Sequence, residues 1–429
     1  MRKSITVVAL VVALLAVMAF PALAETINVW TGFPELEPFY KWAGEEFAKT
    51  HPGVKVEVLS TSLREFEQKL VTSIPTGTGP EIFDVGPYIA IKLIDAGLLP
   101  ANPPEIDAYL KSGAWNQFAV DYVTIGGKTY GLPLMNGSRA ALFYNKDMFI
   151  EAGLDPNQPP KNLTELMEMA RKLTKYDQNG NVIRSGLSLR ISGGGSGLTE
   201  KFRFSLNNAG GDLIVPTADG KWKNGLDNAA GEEALRFYID ALYKYKVDDF
   251  QVKHDSDAFV TETTAMFMRE SWVIGEIAAK NPKLNYGVAP MPAGKRYQTL
   301  SQPWAIYMSM DGVKSKAVKE FMMFLTSAEA APKLIELSGW IPERHFDSAA
   351  LVKEIPQYEV FVNPPAELGF YADPVIPAFD EIQTKVADKL MEAFLKKNLV
   401  DNPKGIAKEI DEIAKLVDSI LKRYNAYGK

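Results

Sequence analysis

The chain has 429 residues, of which 46% are hydrophobic and 23% are charged, and its formal net charge is -6. This balance is typical of a globular protein of one or two domains and excludes a disordered or fibrous chain. The sequence contains no cysteine and three widely spaced histidines. Disulfide scaffolds, zinc–thiolate sites and iron–sulfur clusters are therefore excluded, and histidine-based metal or triad chemistry is poorly supplied. No basic stripe accompanies the acidic balance, so we expect no nucleic-acid partner.

The first 24 residues have the pattern of a secretory signal peptide. Arg2 and Lys3 precede an apolar run from Ile5 to Phe20, and Ala22-Leu23-Ala24 is an A-x-A cleavage site. A membrane anchor is the alternative, but the run falls short of the ~20 residues that a bilayer span needs. We therefore expect a mature chain from Glu25 in the periplasm, without a lipid anchor because no cysteine could carry one.

The first part of the expected mature chain alternates strand and helix patterns at short spacing. Apolar residues alternate in the strands and recur at helical spacing in the helices. The predicted elements are strands at 26–30, 54–58 and 82–85 and helices at 36–49, 63–74 and from 86 to 97. Their order predicts an open α/β sheet, in which ligands bind beyond the carboxyl ends of the strands.

A second α/β region follows. Its pattern predicts a helix over 163–173, opened by Asn162 as its N-cap, and another over 231–245. A charged amphipathic helix is predicted over 403–424.

Three polar segments imitate functional motifs. Asp177 to Asn181 resembles the start of a calcium loop, but the positions that require Gly and Glu hold Val182 and Ser188, so we predict a tight turn. The segments Thr76–Pro80 and Ser192–Gly197 lack the spacing of a phosphate loop and of a nucleophile elbow. The sequence therefore predicts no cofactor, no metal and no catalytic residue.

Ten short segments, taken in order, are spread along the expected mature chain from residue 27 to residue 344. They are INVWTGF (27–33), HPGVKVEV (51–58), TGTGPEIFDV (76–85), AGLL (96–99), YGLPL (130–134), RAALFYNKDMF (139–149), TAMFMRESW (264–272), YGVAPMP (286–292), KAVKEFMMFLTS (316–327) and SGWIPER (338–344). Together they resemble the extracellular solute-binding proteins of ABC importers, in the group that contains maltose-binding protein.

The resemblance implies a two-lobe periplasmic binding protein fold, each lobe an open α/β sheet, with three crossings between the lobes. It assigns residues 25–137 plus 288–341 to lobe 1 and residues 138–287 plus 342–429 to lobe 2. The crossings then lie near 134–138, 287–292 and 339–342. Each coincides with a proline-containing stretch of the kind that connects domains.

A sugar offers apolar C–H faces and a rim of hydroxyl groups, so its site needs aromatic platforms and planar donors and acceptors. The resemblance places ligand-binding candidates at strand ends and crossings: Phe33, Glu35, Tyr88, Asn136, Arg139, Arg203, Trp272, Gln302, Trp304, Trp340, Arg344 and Tyr371. The strongest is Trp272, which matches the cleft aromatic after the A-M-F strand; a core tryptophan at a helix start is its alternative. Arg139 could instead form an interlobe ion pair, and Arg203 could be solvated.

The resemblance implies a monomeric periplasmic receptor and not an enzyme. Such a receptor binds a mono- or oligosaccharide by hinge closure and delivers it to the transmembrane subunits of an ABC permease. One alternative ligand is a phosphorylated glycerol derivative, which needs Arg139, Arg203 or Arg344 to converge as a clamp. The other alternative is a secreted glycoside hydrolase, which needs two facing carboxylates about 5–10 Å apart.

Overall fold

The structure, a computed structural model, describes residues 25–191, 195–252 and 255–428. The expected signal peptide and residues 192–194 of the glycine-rich segment lie outside the described residues. None of the described helices is both long enough and apolar enough to cross a bilayer.

The elements of the amino-terminal part alternate as the sequence predicts. In chain order they are β1 (Glu25–Thr31), α1 (Glu37–Thr50), β2 (Val54–Ser60), α2 (Leu63–Ser73), β3 (Ile82–Val85), α3 (Pro87–Asp95), α4 (Pro104–Leu110), α5 (Gln117–Tyr122), β4 (Thr124–Ile125), β5 (Lys128–Thr129), β6 (Leu132–Asn136) and β7 (Ala140–Asn145).

The remaining elements are richer in helix. They are α6 (Lys146–Glu151), α7 (Leu163–Leu173), β8 (Lys175–Tyr176), β9 (Val182–Arg184), α8 (Ser196–Asn208), β10 (Ile214–Pro216), β11 (Trp222–Asn224), α9 (Ala229–Ile239), α10 (Asp255–Val260), β12 (Met266–Glu270), α11 (Trp272–Lys280), β13 (Tyr286–Ala289), β14 (Gln298–Leu300), β15 (Pro303–Met308), α12 (Lys316–Leu325), α13 (Ala330–Ser338), α14 (Ala349–Glu354), α15 (Glu359–Val362), β16 (Gly369–Tyr371), α16 (Phe379–Phe394) and α17 (Pro403–Arg423).

A five-stranded sheet with the order β2-β1-β3-β15-β6 forms the base of one lobe. Strands β1, β2 and β3 pair in parallel, which confirms the predicted strand–helix alternation, whereas β15 runs antiparallel to both its neighbours. The central strand β3 is buried along its whole length, while the edge strand β2 exposes Lys55 and Glu57. Charged residues on an edge strand oppose pairing with another chain.

A second, three-stranded antiparallel sheet has the order β12-β7-β13. Successive side chains of a strand point to opposite faces. In the fully buried strand β7, Leu142 and Tyr144 accordingly join one hydrophobic cluster, whereas Ala141 and Phe143 join another. Burial of both faces explains why β7 reads as a continuous apolar run.

Each sheet has its own hydrophobic core. The core of the five-stranded sheet draws its buried side chains from residues 27–135 and 304–340. The largest core beside the other sheet draws them from residues 142–289 and 378–421. The chain therefore crosses between two lobes three times, as the resemblance implies.

Two local predictions for the second α/β region, a helix cap and a tight turn, are confirmed, and the end of one predicted helix is corrected. The Asn162 side chain accepts a hydrogen bond from the Glu165 backbone N–H at 2.9 Å and caps α7. In the predicted turn, Asp177 Oδ1 accepts from the backbone N–H groups of Asn179 and Asn181, each at 2.8 Å. The helix predicted to end at 245 ends its α-helical part at Ile239 and continues as a π-helical turn.

Candidate functional site

A cavity of about 510 Å³ lies between the two sheets. Four strands of the larger sheet, β1, β2, β3 and β6, are mutually parallel, and the segment after each of them lines the cavity. The opposite wall comes from the start of α8, the junction of β12 with α11, and α16. The position beyond the carboxyl ends of the strands is the one predicted for an open α/β sheet.

Half of the predicted site residues line this cavity. They are Phe33, Glu35, Tyr88, Trp272, Trp304 and Trp340. These six come from a strand end, a helix start or a crossing, which is where the resemblance places the ligand contacts.

The other six predicted residues do not line the main cavity, and two of them are amides in the buried network at the crossings. Asn136 Nδ2 donates to Ser301 Oγ at 2.9 Å. Gln302 Oε1 accepts from Tyr122 Oη and from the Asp373 backbone N–H, each at 3.1 Å. Of these hydrogen bonds, the one between Gln302 and the Asp373 backbone ties one lobe to the other.

Two of the predicted arginines are held by groups of the protein itself. Arg139 donates to the Phe361 carbonyl and, at 3.1 Å, to Ser301 Oγ, so its hydrogen-bond partners are neutral and are not the carboxylate of an interlobe ion pair. Arg344 donates to the Thr326 carbonyl at 2.7 Å.

Arg203 and Tyr371 lie in a neighbouring cavity of about 320 Å³. Arg203 is 6% exposed and forms an ion pair with Asp373, so it is not the solvated side chain that was the alternative. The helix that carries it, α8, begins at Ser196.

The aromatic residues form a continuous wall. Phe33 meets the Trp304 ring edge-on at a centroid distance of 4.7 Å, and Trp272 meets Trp340 at 6.4 Å with an interplanar angle of 39°. Trp304 and Trp340 expose only 5% and 3% of their surface, whereas Trp272 is half-buried at the first position of α11. Trp272 therefore presents the accessible indole surface, and the other rings support the wall behind it.

Each of two indole N–H groups donates to a carboxylate beside the cavity. Trp340 Nε1 donates to Glu35 Oε1 and Trp272 Nε1 donates to Glu270 Oε2, both at 3.1 Å. A hydrogen bond to a charged acceptor is stronger than a neutral one. These contacts fix the plane of each ring before a ligand arrives.

Glu270 belongs to a buried charge network on the second lobe. It pairs with Lys201 and, at 3.2 Å, with Arg269, while Lys201 also reaches Glu200 at 2.9 Å. Burial raises the pKa of Glu270, but the positive charges of Arg269 and Lys201 outweigh that effect and lower it to about 2. Burial raises the pKa of Glu200. The network keeps Glu270 ionised as the acceptor for Trp272.

Glycines at the start of α8 allow two guanidinium groups to approach the backbone. Gly195 has a φ of +69°, and a Cβ there would lie 3.1 Å from Arg64 Nη2; a Cβ on Gly197 would lie 2.8 Å from Arg190 Nη2. Arg64 reaches across from α2 to donate to Ser196 Oγ at 2.8 Å. The glycine-rich segment thus allows close contact between the lobes.

A second interlobe contact joins Lys92 of α3 to Asp380 of α16 at 2.7 Å. Both side chains are partly exposed, at 28% and 18%. Exposed ion pairs are worth about 0–1 kcal/mol. This pair alone is therefore too weak to hold the lobes together.

Asp84 lies beneath the loop that carries Phe33 and Glu35. Tyr40 Oη donates to its Oδ2 at 2.6 Å. Burial raises the pKa of Asp84 to about 7, and the donors on Tyr40, Thr31 and Gly32 lower it only in part. The folded protein therefore favours the protonated acid.

Asp84→Asn is expected to make the protein more stable at pH 8 and less sensitive to pH. Because the pKa of folded Asp84 is raised, its contribution to stability is complete below pH ~4 and is lost as the pH rises through about 7. The loss is on the order of 4 kcal/mol, since the pKa rises from 3.8 to about 7. Urea unfolding between pH 5 and 8 measures it, with exposed Asp311→Asn as the control. Equal pH slopes for Asp84→Asn and the wild type would contradict this assignment.

Several cavity residues were missed from the sequence. Arg64 follows the end of β2, so the strand-end reasoning that selected Tyr88 also applied to it. Arg269 and Glu270 stand just before Trp272 in the quoted RES segment. Gln383 carried no local signal, because α16 brings it to the cavity from the distant carboxyl-terminal region.

A different depression of about 370 Å³ lies on the second lobe between α7 and α9. Its lining comes entirely from residues 163–245, so motion of one lobe against the other leaves it unchanged. Across the residues that the structure describes, no group of three or more His, Asp or Glu is placed to hold a metal ion.

The chain is similar in sequence to other binding proteins and in fold to a solved structure. The maltotriose-binding protein of Pyrococcus abyssi is 26% identical over 320 residues, 72% of this chain and 64% of that protein. The sn-glycerol-3-phosphate-binding periplasmic protein UgpB of Escherichia coli O1:K1 is 26% identical over 359 residues, 76% of each. The crystal structure of an ABC transporter solute-binding protein from Thermotoga lettingae, bound with alpha-D-tagatose, superimposes with a TM-score of 0.77 at 24% identity, covering 92% of this chain and 100% of that one.

The sequence profile of one family, described as bacterial extracellular solute-binding protein, matches residues 31–332. That match spans most of the chain, and the solved structure shares its two-lobe fold. The chain therefore belongs to the bacterial extracellular solute-binding protein family.

Proposed function

We propose that the protein is the carbohydrate receptor of an ABC importer, and that it binds its sugar between the two lobes. The single observation that carries this proposal is the main cavity, where the half-buried face of Trp272 stands opposite hydrogen-bonding side chains from the other lobe. An indole face suits the C–H surface of a sugar ring, and the surrounding polar groups suit its hydroxyls.

The charges around the cavity also fit a neutral, hydroxyl-rich ligand. The described lining contains three guanidinium groups and four carboxylates, namely Arg64, Arg190, Arg269, Glu35, Glu200, Glu270 and Asp373. Hydroxyl groups both donate and accept, so a mixture of donors and acceptors can pair with them. The maltotriose-binding relative from Pyrococcus abyssi supports the same ligand class.

We expect the two lobes to move as two bodies when they close. One body is residues 25–137 plus 288–341, and the other is residues 138–287 plus 342–429. The two hydrophobic cores support this division in outline, although Ala289, assigned to the first lobe, packs in the core of the second. A ligand that contacts both lobes favours the closed form by its differential affinity. The closed monomer would then deliver the sugar to the permease without altering it, after export by the signal peptide and without a lipid anchor.

The phosphorylated glycerol alternative is supported by the similarity to the glycerol-3-phosphate-binding relative. Its predicted clamp needs Arg139, Arg203 or Arg344, and none of the three lines the main cavity. Three other arginines line that cavity, but its four carboxylates offset their positive charge toward a phosphate. We therefore favour the sugar.

Thermal unfolding with a panel of mono- and oligosaccharides tests the proposal. A ligand that binds only the folded state at 100 times its Kd adds about 2.7 kcal/mol of stability. We expect at least one sugar to raise the Tm and sn-glycerol 3-phosphate to leave it unchanged. The reverse result would select the phosphate ester, and no shift with any sugar would contradict a carbohydrate receptor.

Incubation of the protein with the sugar found in this way separates a receptor from a glycoside hydrolase. Chromatography after prolonged incubation is expected to recover the sugar intact. Formation of shorter products would show hydrolysis.

A further inference from the structure

One carboxylate of the second lobe faces two cations of the first. Asp380 stands in the first turn of α16, and its Oδ2 accepts a hydrogen bond from Lys92 Nζ of α3 at 2.7 Å. Its Oδ1 faces Arg64 Nη1 of α2 at 3.8 Å. The two cations come from different helices, so the carboxylate has a separate contact with each of them.

The helices that carry these three side chains are anchored in different hydrophobic cores. Phe66 of α2 and Leu93 of α3 pack in the core of the five-stranded sheet. Phe379 and Ile382, which flank Asp380 on α16, pack in the core of the second lobe. Because each helix is fixed to its own lobe, both contacts with Asp380 break when the lobes separate and form when they close.

Arg64 is held in position by groups of its own lobe. Its Nη1 donates to Glu67 Oε2 at 3.0 Å, and Tyr88 Oη donates to Glu67 Oε1 at 2.9 Å. A side chain that is already ordered loses less conformational entropy when it meets its partner. The guanidinium therefore stands ready for Asp380 before the lobes meet.

Asp380 lies outside the main cavity, although it is close to it in the chain and in space. Arg64 and Gln383 line the cavity, and Gln383 follows Asp380 by three residues on α16, but Asp380 itself is not part of the lining. A bound sugar would therefore not touch this carboxylate. Its contribution to binding would come through the position of one lobe against the other.

We propose that Asp380 is a positioning residue for closure, which sets the ratio of closed to open receptor and thereby the affinity for the sugar. A protein whose binding-competent form is only partly populated binds more weakly by that fraction. A contact made only in the closed form consequently changes the affinity for every ligand by the same factor. This inference rests on the lobe closure of the proposed function and is independent of the identity of the ligand.

Small-angle X-ray scattering of the ligand-free protein tests the proposal at about 50 mM and about 500 mM NaCl, which differ strongly in charge screening. The wild type is compared with Asp380→Asn, Lys92→Gln and the double variant. Asp388→Asn is the matched control, because Asp388 lies on the same helix and pairs with Lys385 of that helix at 3.3 Å. Both single aspartate variants lose the same charge, so repulsion between molecules is equal in the two samples.

For the wild type, we expect a larger radius of gyration at the higher salt concentration, because salt screens these partly exposed charges. Asp380→Asn should have the larger radius at both salt concentrations, and Asp388→Asn should behave as the wild type does. Lys92→Gln should lie between them, since Arg64 still faces the carboxylate. The double variant should match Asp380→Asn, because both substitutions remove the same contact.

Calorimetric titration with glucose, maltose, maltotriose and cellobiose gives a second readout. Each of these sugars that binds the wild type should bind Asp380→Asn about three- to tenfold more weakly, by one common factor. A residue that contacts the sugar would change these affinities unequally. A merely structural aspartate would lower the Tm and leave the salt dependence of the radius of gyration in place.

Equal radii of gyration for Asp380→Asn and Asp388→Asn at both salt concentrations would overturn the inference and leave a carbohydrate receptor in place. Sugar affinities that stay unchanged in Asp380→Asn, or that fall by unequal factors, would also overturn it. If the radii differ as expected but no carbohydrate binds the wild type, the proposed function fails while the role of Asp380 in closure stands.

Discussion

Trp272→Ala is expected to lower the affinity for the bound carbohydrate at least tenfold, which corresponds to about 1.4 kcal/mol. The substitution removes the half-buried indole face from the cavity and leaves Glu270 without the N–H that Trp272 donates to it. Trp272→Phe keeps an aromatic face and loses only that hydrogen bond, so its affinity should lie between those of the wild type and Trp272→Ala. Calorimetric titration of each variant measures the effect.

Trp42→Ala is the matched control for Trp272→Ala. Trp42 is also a half-buried tryptophan, but it stacks on Phe324 at 5.9 Å and does not line the cavity. The Trp42→Ala variant should be less stable because it loses this packing, but it should keep the wild-type affinity for the sugar. Equal affinities for Trp272→Ala and Trp42→Ala would remove Trp272 from the binding site.

Gly339→Ala is expected to destabilise the fold and weaken binding together. Gly339 ends α13 with a φ of +77°, and a Cβ there would lie 2.9 Å from Trp272 Cα and 3.0 Å from its carbonyl oxygen. The left-handed backbone costs a side chain about 1–2 kcal/mol, and the overpacking adds about 1–3 kcal/mol. Urea unfolding measures the stability change, and the displaced Trp272 should lower the sugar affinity.

Gly97→Ala separates the effect of left-handed backbone strain from the effect of close contact with Trp272. Gly97 has a φ of +69°, and a Cβ there would meet no atom within 4 Å, so this variant carries the backbone strain without the contact. It should lose about 1–2 kcal/mol and bind sugar normally. If Gly339→Ala matched Gly97→Ala in both stability and affinity, close packing of Gly339 against Trp272 would have no role.

The parts of the fold that were predictable from the sequence depend on local patterns. Strands β1, β2 and β3 were predictable because the sequence pattern of each is contained within a few residues. Asn162 was predictable as the cap of α7 because it binds the backbone of Glu165, only three positions further along the chain. Trp272 stands directly after a strand that the resemblance identifies, so its place at the cavity was also predictable.

The partners of the arginines were not predictable, because they are distant in sequence. Arg203 pairs with Asp373, 170 residues away, and Arg139 binds the Phe361 carbonyl, 222 residues away. A single sequence shows that these cations exist, but the packing of α8 and the crossings decides which way they point. The same holds for Gln383, which only the position of α16 brings to the cavity.

Closure of the two lobes on a carbohydrate can be measured directly by small-angle X-ray scattering. The contacts from α2 and α3 to the second lobe, Arg64 with Ser196 and Lys92 with Asp380, are polar and partly exposed, so we expect the ligand-free protein to be partly open in solution. With the sugar identified by thermal unfolding present at saturation, we expect a smaller radius of gyration. Superimposable scattering curves with and without that sugar would contradict hinge closure.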